Sequence, residues 1–218
     1  MTALRFDTYD WSGGREAMLR FGADAGPIVV AALPLFEEAN RTRQFACTIL
    51  RALAERGIGS VLPDFPGTGE SLVATADATL SDQRRAYSAL AQQLGADIYA
   101  LSIRSGALLE GDATLAGRWH LSPQSGEELV RDLERARAAA SRPEGEYAGN
   151  RLSSERLAAL RDAGPRVDGR CRIIRLDTDP READATYPGA PLWRRSEPDN
   201  NIGLAQKLAA DIAYWITA

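Results

Sequence analysis

Histidine is almost absent from this sequence of 218 residues, which contains only His120. Since imidazole is the usual general base near neutral pH, any mechanism that needs a histidine must use this one. Cysteine is also scarce: Cys47 and Cys171 lie far apart and match no metal-binding or redox spacing. We therefore expect two buried free thiols, and the sequence indicates neither a metal site nor a cofactor.

Long apolar runs and an excess of positive charge are absent as well. No window approaches the about 20 apolar residues that a membrane-spanning helix needs, and the N-terminal residues lack the apolar segment of a signal peptide. The net charge is −4 and the arginines are interspersed with acidic residues, which excludes the concentrated positive face that binds nucleic acid. These observations predict a soluble, cytoplasmic protein that binds no nucleic acid.

Apolar segments typical of strands alternate with segments of helical periodicity along the chain. The run 27–34 is almost entirely apolar and bounded by prolines, as expected for a strand covered on both faces. Helical spacing follows over 41–56, a strand over 59–64, and a helix that Ser81 or Asp82 could cap and that ends at Leu94. This alternation predicts a single α/β domain with a mainly parallel sheet flanked by helices.

The composition changes over 125–165. Charged helical segments at 127–140 and 153–163 are joined there by a stretch rich in glycine and charge. We interpret 125–165 as a small helical cap inserted into the domain and laid over the carboxyl ends of the strands. The core pattern then resumes with a strand at 171–177 and closes with an amphipathic helix at 202–216, on which Trp215 is expected to be buried.

The stretch 96–109 combines a strand, a sharp turn and a helix. Apolar and β-favouring residues lead to Ser102, the chain turns around Arg104, and Gly106 is followed by small and apolar residues suited to a buried helix. So abrupt a turn needs small flanking residues. The stretch therefore predicts a strand–turn–helix elbow at the carboxyl edge of the sheet.

This elbow and the loop 64–71, with its pattern D-x-x-G-x-G-x-S, resemble those of α/β-hydrolases. In that family a serine nucleophile stands at the centre of a G-x-S-x-G turn, whereas here Arg104 takes its place. A closer resemblance, over nearly the whole chain, is to exosortase-A-associated hydrolase-like proteins, which are bacterial α/β-hydrolase relatives encoded beside exopolysaccharide and protein-sorting genes. Four segments carry it: 34–43, 102–109, 122–126 and 189–193. It implies the α/β-hydrolase fold and protein partners in an exopolysaccharide system.

Arg104 changes the chemistry expected at the elbow. A guanidinium stays protonated at ordinary pH, so it can neither attack a carbonyl nor act as a base. It can instead bind a carboxylate or phosphate bidentately. The alternative is that Arg104 only pairs with a neighbouring carboxylate, Glu37 or Glu38. The residues that we expect to form a ligand site at this edge of the sheet are Phe36, Glu37, Glu38, Asn40, Arg104 and Trp193.

A conventional catalytic triad is incomplete in the sequence. Its histidine is expected late, before the final helix, and 188–201 contains none. His120 lies on a predicted strand instead, where a structural histidine with satisfied hydrogen bonds is the better interpretation. Asp177, with Asp179 as the alternative, is the candidate acid at the end of a strand.

Ser102 and Ser105 are the remaining candidate nucleophiles. Without a histidine, a carboxylate such as Glu37 would have to take the serine proton. Two acidic residues in the predicted loop 36–40 would also repel an oxyanion. Three hypotheses follow: a hydrolase-like protein without a triad that binds an anionic small molecule or an exopolysaccharide or lipid-linked precursor, a non-standard serine esterase or thioesterase, or a non-catalytic partner in an exopolysaccharide system. The sequence leaves open whether the chain is an enzyme.

Overall fold

A mostly parallel β-sheet of eight strands forms the centre of the molecule, for which a computed structural model describes residues 4–95, 97–147 and 149–218. The strands in chain order are β1 Arg5–Trp11, β2 Gly14–Phe21, β3 Ile28–Ala32, β4 Gly59–Pro63, β5 Ile98–Ile103, β6 Gly117–Leu121, β7 Glu146–Tyr147, β8 Asn150–Arg151, β9 Cys171–Leu176 and β10 Ala185–Tyr187. The sheet order is β1-β2-β4-β3-β5-β6-β9-β10. β2 runs antiparallel to both its neighbours, β1 and β4. The remaining strands of the sheet, in the spatial order β4-β3-β5-β6-β9-β10, pair in parallel. β7 and β8 form a separate hairpin.

Helices cover both faces of the sheet and build one apolar core on each. The helices are α1 Glu37–Ala54, α2 Leu80–Leu94, α3 Gly126–Ala139, α4 Ser154–Arg161 and α5 Ile202–Thr217. α1 and α5 pack together on one face, where they bury Phe45, Leu53 and Ile212. α2, α3 and α4 cover the other face around Tyr87 and Leu129. The predicted fold class, a mainly parallel sheet flanked by helices, is therefore confirmed.

Two local predictions were wrong. The segment 36–40 is not a loop, because α1 already begins at Glu37; acidic residues in a first turn interact favourably with the helix dipole, which accounts for the earlier start. The helix expected after the elbow is only a short 3₁₀ helix, Arg104–Leu108. It stops early because Gly111 takes a left-handed conformation (φ 51°) that turns the chain away.

Two further differences concern the C-terminal part. The Pro- and Gly-rich segment after β9 contains the edge strand β10, which at three residues is too short to show a periodic pattern. Trp215, expected to be buried, is only half-buried. Its ring packs against the edge of the apolar core, in a T-shaped contact with Tyr99, and the guanidinium of Arg170 covers it 4.8 Å from the ring centroid.

The carboxyl end of β3 is the point at which the order of the sheet reverses. The chain passes through α1 to β4 on one side of β3, and then through α2 to β5 on the other side. Open α/β sheets bind ligands in the crevice outside such a reversal. Phe36 (φ 61°), Arg104 (φ 55°) and Ser122 (φ 47°) follow β3, β5 and β6 there in left-handed conformations. Such strain in non-glycine residues clusters at functional sites.

Residues 126–161 contain α3, the β7–β8 hairpin and α4, and are called the inserted segment below, after the cap that the sequence predicts over 125–165. The start of α3 and the end of α4 are in close contact, since a Cβ on Gly126 would lie 1.6 Å from the carbonyl oxygen of Leu160. The two helices end within one or two residues of the predicted bounds. Within the described residues, no helix combines the length and apolar character needed to cross a membrane.

Candidate ligand-binding site

Arg104 stands at the apex of a sharp turn between β5 and the 3₁₀ helix. Its φ of 55° is the strained conformation expected at the centre of a nucleophile elbow. The turn requires glycine two residues later, because a Cβ on Gly106 would lie 2.3 Å from the carbonyl oxygen of Ala32. The backbone therefore turns sharply at Arg104, and the apex of the turn carries a guanidinium.

The guanidinium of Arg104 is held by an acid and an aromatic ring. Nε donates to Glu38 Oε2 at 3.1 Å, and Nη2 donates to Glu38 Oε1 at 3.3 Å. The guanidinium also lies 5.2 Å from the centroid of the Trp193 ring, and Nη2 lies 3.8 Å from Asp132 Oδ2. Glu37 pairs with Arg41 instead. The sequence offered an ion pair between Arg104 and Glu37 or Glu38 as the alternative to ligand binding. The structure shows this ion pair, and the partner is Glu38.

The carboxyl group of Glu38 has a raised pKa. Burial raises the pKa of its carboxyl group, and the favourable charge of Arg104 offsets burial only in part. Asp132 adds a repulsive contribution that raises the pKa further. The carboxylate that neutralises Arg104 is therefore held less firmly than a fully compensated ion pair would be.

Trp193 lies in the segment between β10 and α5, where a triad histidine is expected. Its ring is 6 % exposed and faces the guanidinium of Arg104. An indole N–H only donates a hydrogen bond, so it cannot accept a proton from a nucleophile. At the apex and beside it, the chain thus carries a cation and an aromatic ring, 5.2 Å apart, rather than a nucleophile and a base.

A cleft of about 570 Å³ opens at Arg104. An adjoining cavity of about 340 Å³ shares Arg104 and Trp193 with it. The cleft brings together five of the predicted ligand residues: Phe36, Glu37, Glu38, Arg104 and Trp193. Asn40 is the exception, since it lines a neighbouring cavity on the other side of Phe36.

Ser102 and Ser105 do not reach the cleft. Both side chains are completely buried. The hydroxyl oxygen of Ser105 accepts a hydrogen bond from the backbone N–H of Leu35 at 2.9 Å. The hydroxyl group of Ser102 donates to Glu110 Oε1 at 2.6 Å. Each serine therefore serves the packing of the elbow, and a substrate in the cleft contacts neither.

A buried polar cluster, defined by Ser102, Glu110, Arg118 and His120, lies beneath the elbow. His120 Nε2 donates to the same Glu110 Oε1 at 2.8 Å, and Arg118 Nε lies 3.0 Å from Glu110 Oε2. A serine, an acid and a histidine do meet here, but the acid stands between the other two. In a triad the histidine takes that middle position so that it can remove the serine proton. This order and the complete burial make the cluster structural.

His120 is cationic at neutral pH. Burial alone would lower its pKa, but contacts with Cys171 and Glu110 outweigh burial and raise the pKa from 6.5 to about 9. An imidazolium cannot act as a general base. The cluster is then an anion shared by two cations, Arg118 and His120, within the sheet.

Neither acid candidate forms an ion pair with Arg104, whose acidic neighbours are Glu38 and Asp132. Asp177 is exposed, and its Oδ1 lies 3.5 Å from the backbone N–H of Gly189. Asp179 accepts hydrogen bonds from Arg175 and Arg181, which hold the pKa of its carboxyl group far below the usual range. Asp179 lines the smaller cavity near Arg104, while Asp177 does not.

The structure adds residues that the sequence did not identify. Glu110 organises the buried cluster, and α3 supplies Asp132 beside Arg104. The only signal for Glu110 was an acidic residue directly after a run of buried small and apolar residues. Nothing in the sequence pointed to Asp132, because its place depends on how the inserted segment packs.

Known structures share this architecture. Scans against protein-family models and against curated proteins found no match. Est1E from Butyrivibrio proteoclasticus, solved with ferulic acid bound, is similar with 16 % identity and a TM-score of 0.67 over 97 % of this chain and 100 % of that one. So are an epoxide hydrolase from Vigna radiata (14 %, TM-score 0.64, 98 % of each chain) and the thioesterase domain from the curacin biosynthetic pathway (13 %, TM-score 0.57, 99 % and 100 %). These similarities show that the chain has the α/β-hydrolase fold.

Proposed function

We propose that this chain is an α/β-hydrolase-like protein without a catalytic triad, which binds an anionic ligand at Arg104. The observation that carries the proposal is the strained elbow, which presents a guanidinium at the edge of the sheet instead of a nucleophile. Strain of this kind persists only where the surrounding structure holds it, which is typical of functional sites. The ligand is a small molecule, or an exopolysaccharide or lipid-linked precursor, that carries a carboxylate or a phosphate.

The charges around the cleft support an anionic ligand. Arg131 and Arg194 line the smaller cavity, and neither forms an ion pair with any described residue. Arg104 is the one buried cation of the cleft, and its partner Glu38 has a raised pKa. A ligand carboxylate or phosphate can therefore replace Glu38 at Arg104, because the same bidentate geometry suits all three anions.

The inserted segment acts as a cap in this proposal. Its helix α3 contributes Asp132 and Leu133 to one wall of the cleft, opposite Trp193. Phe36 and Leu35 supply apolar surface at the carboxyl end of β3. A ligand with an anionic head and an apolar body fits such a lining, since binding sites combine apolar walls with a few placed polar groups.

The biological class follows from resemblance alone. Segments of this chain resemble exosortase-A-associated hydrolase-like proteins, which supports a ligand drawn from exopolysaccharide or lipid-linked precursors and protein partners in that system. Two of the similar structures are an epoxide hydrolase and a thioesterase domain. Neither activity is proposed for this chain, because Ser102 and Ser105 are buried away from the cleft and the one histidine is buried beneath the elbow.

Thermal stabilisation by ligands tests this proposal. We expect a panel of organic carboxylates and phosphates to raise the melting temperature by about 5–10 °C at about 100 times Kd, while matched neutral amides and alcohols do not. Arg104→Gln combined with Glu38→Gln removes both charges and keeps a neutral side-chain pair. This double variant should show a clearly smaller response than the wild type, whereas Arg142→Ala, at an exposed position outside the cleft, should keep the full response. An undiminished response in the double variant would refute the assignment of Arg104.

A further inference from the structure

Arg156 on α4 is a buried cation without a counter-charge. The residue is only 7 % exposed, and its guanidinium lies 5.4 Å from the centroid of the Phe36 ring. Nη1 donates to the carbonyl oxygen of Thr75, while Nε has no hydrogen-bond partner. No carboxylate among the described residues pairs with it, and burial alone lowers its pKa. The residues that the structure does not describe, at positions 1–3, 96 and 148, include no aspartate or glutamate.

This isolation distinguishes Arg156 from the other buried arginines. Four arginines are less than 10 % exposed. Arg104 pairs with Glu38, Arg118 with Glu110, and Arg175 with Asp179. A buried charge normally has such a partner, because the loss of hydration is otherwise uncompensated. The chain supplies the partner in three cases and leaves it out at Arg156.

A cavity lies directly in front of the unpartnered arginine. It has a volume of about 300 Å³, and its lining includes Asn40, Thr68 and Arg156. Phe36 separates it from the cleft at Arg104, since its side chain lines both spaces. Glu37 is the one acidic residue in its lining, and that carboxylate already pairs with Arg41 at 2.8 Å. The cavity therefore offers room for an anion beside Arg156, a cation that has no counter-charge among the described residues.

We infer that Arg156 forms a second anion-binding site, separate from the site at Arg104, which takes a carboxylate or phosphate group. The ring of Phe36 lies beside the guanidinium, and the N–H groups of the guanidinium, which no described carboxylate takes, donate to the ligand oxygens. Asn40, which is exposed on the adjoining turn of α1, supplies a neutral amide at the rim. The site accounts for both the missing counter-charge and the cavity.

The stability of the ligand-free protein tests the first half of the inference. In a low-salt chloride buffer, Arg156→Met should keep the melting temperature within about 2 °C of the wild type or raise it, since replacing an uncompensated buried charge by an apolar side chain is neutral or stabilising. Arg175→Met is the matched control. It should lower the melting temperature by several degrees, because Asp179 loses its buried partner and keeps only the more exposed Arg181. A fall for Arg156→Met as large as that for Arg175→Met would overturn the inference, and so would failure of Arg156→Met to fold.

Calorimetric titration tests the second half, with inorganic phosphate and butyrate as probes at constant ionic strength. We expect saturable binding of at least one probe at a site whose affinity falls about 10-fold or more in Arg156→Met, and this site should persist in the Arg104→Gln, Glu38→Gln double variant. Binding of phosphate alone identifies a phosphate-bearing ligand, and binding of butyrate alone a carboxylate. No saturable binding of either probe to the wild type would overturn the inference. A loss that follows Arg104 rather than Arg156 would overturn it too, while supporting the function proposed above.

Discussion

Replacing Glu110 by alanine should lower the free energy of unfolding by about 3–5 kcal/mol, because it leaves two cations buried without their anion. His120 is completely buried and Arg118 nearly so, and Glu110 contacts both at 2.8 and 3.0 Å. Ser102 loses its acceptor at the same time. Chemical denaturation followed by tryptophan fluorescence measures the loss, which is a large share of the about 5–15 kcal/mol that stabilises a typical domain.

The matched control is Glu144→Ala, at an exposed acidic position in the inserted segment, which should change the stability by less than about 0.5 kcal/mol. The pH dependence gives an independent check. Since the pKa of His120 is raised from 6.5 to about 9 in the folded protein, its contribution is complete below pH 6.5 and is lost as the pH rises through 9. Glu110→Ala should weaken this dependence. A loss below about 1 kcal/mol in that variant would show that the cluster is not a structural support.

Replacing Glu38 by glutamine should raise the affinity of the cleft for an organic anion about tenfold, because it removes the carboxylate that competes for Arg104. Benzenesulfonate is a suitable probe, since it stays ionised over the whole range of the experiment and has a ring that can lie beside Trp193. The uncharged benzenesulfonamide is its matched control and should gain nothing. Fluorescence or calorimetric titration of wild type and variant measures the ratio of the two dissociation constants.

The same competition predicts how the pH acts on the wild type. The pKa of Glu38 is raised, so acidification from pH 7 to 5 begins to protonate this carboxyl group and frees Arg104 for the ligand. Affinity for benzenesulfonate should therefore rise as the pH falls, and it should stay nearly constant in Glu38→Gln. Arg104, Arg41 and Asp132 are the charged groups that influence Glu38, and Asp132→Asn separates the contribution of the second carboxyl group. Equal affinity of wild type and Glu38→Gln would contradict the exchange at Arg104.

Local sequence patterns predicted much of the fold. The proline-bounded apolar run became β3, the helical spacing of Phe45 and Leu53 became the buried side of α1, and the place of Gly106 identified Arg104 as the apex of the elbow. These features depend on residues close together in the chain, where periodicity and turn chemistry act directly.

The side-chain contacts of the candidate site could not be predicted from local sequence patterns. Glu110 meets His120 because β5 and β6 pair in a register that sets Ser102 beside His120. Asp132 and Arg156 reach the carboxyl edge only because the inserted segment packs there. Such contacts depend on the packing of distant segments, and a single sequence shows no partner for a lone acidic or basic residue.

Covalent labelling with a fluorophosphonate tests most directly whether the elbow supplies no reactive nucleophile, as expected if Arg104 binds an anion there. Wild-type protein is incubated with the probe and analysed by intact mass and peptide mapping, with a conventional serine hydrolase in the same solution as the positive control. We expect no adduct on any serine and no hydrolysis of short acyl esters or thioesters above the buffer rate, because Ser102 and Ser105 are buried and Glu37, the candidate base at the cleft, is paired with Arg41. A stoichiometric adduct on Ser102 or Ser105 that accompanies turnover would contradict this account.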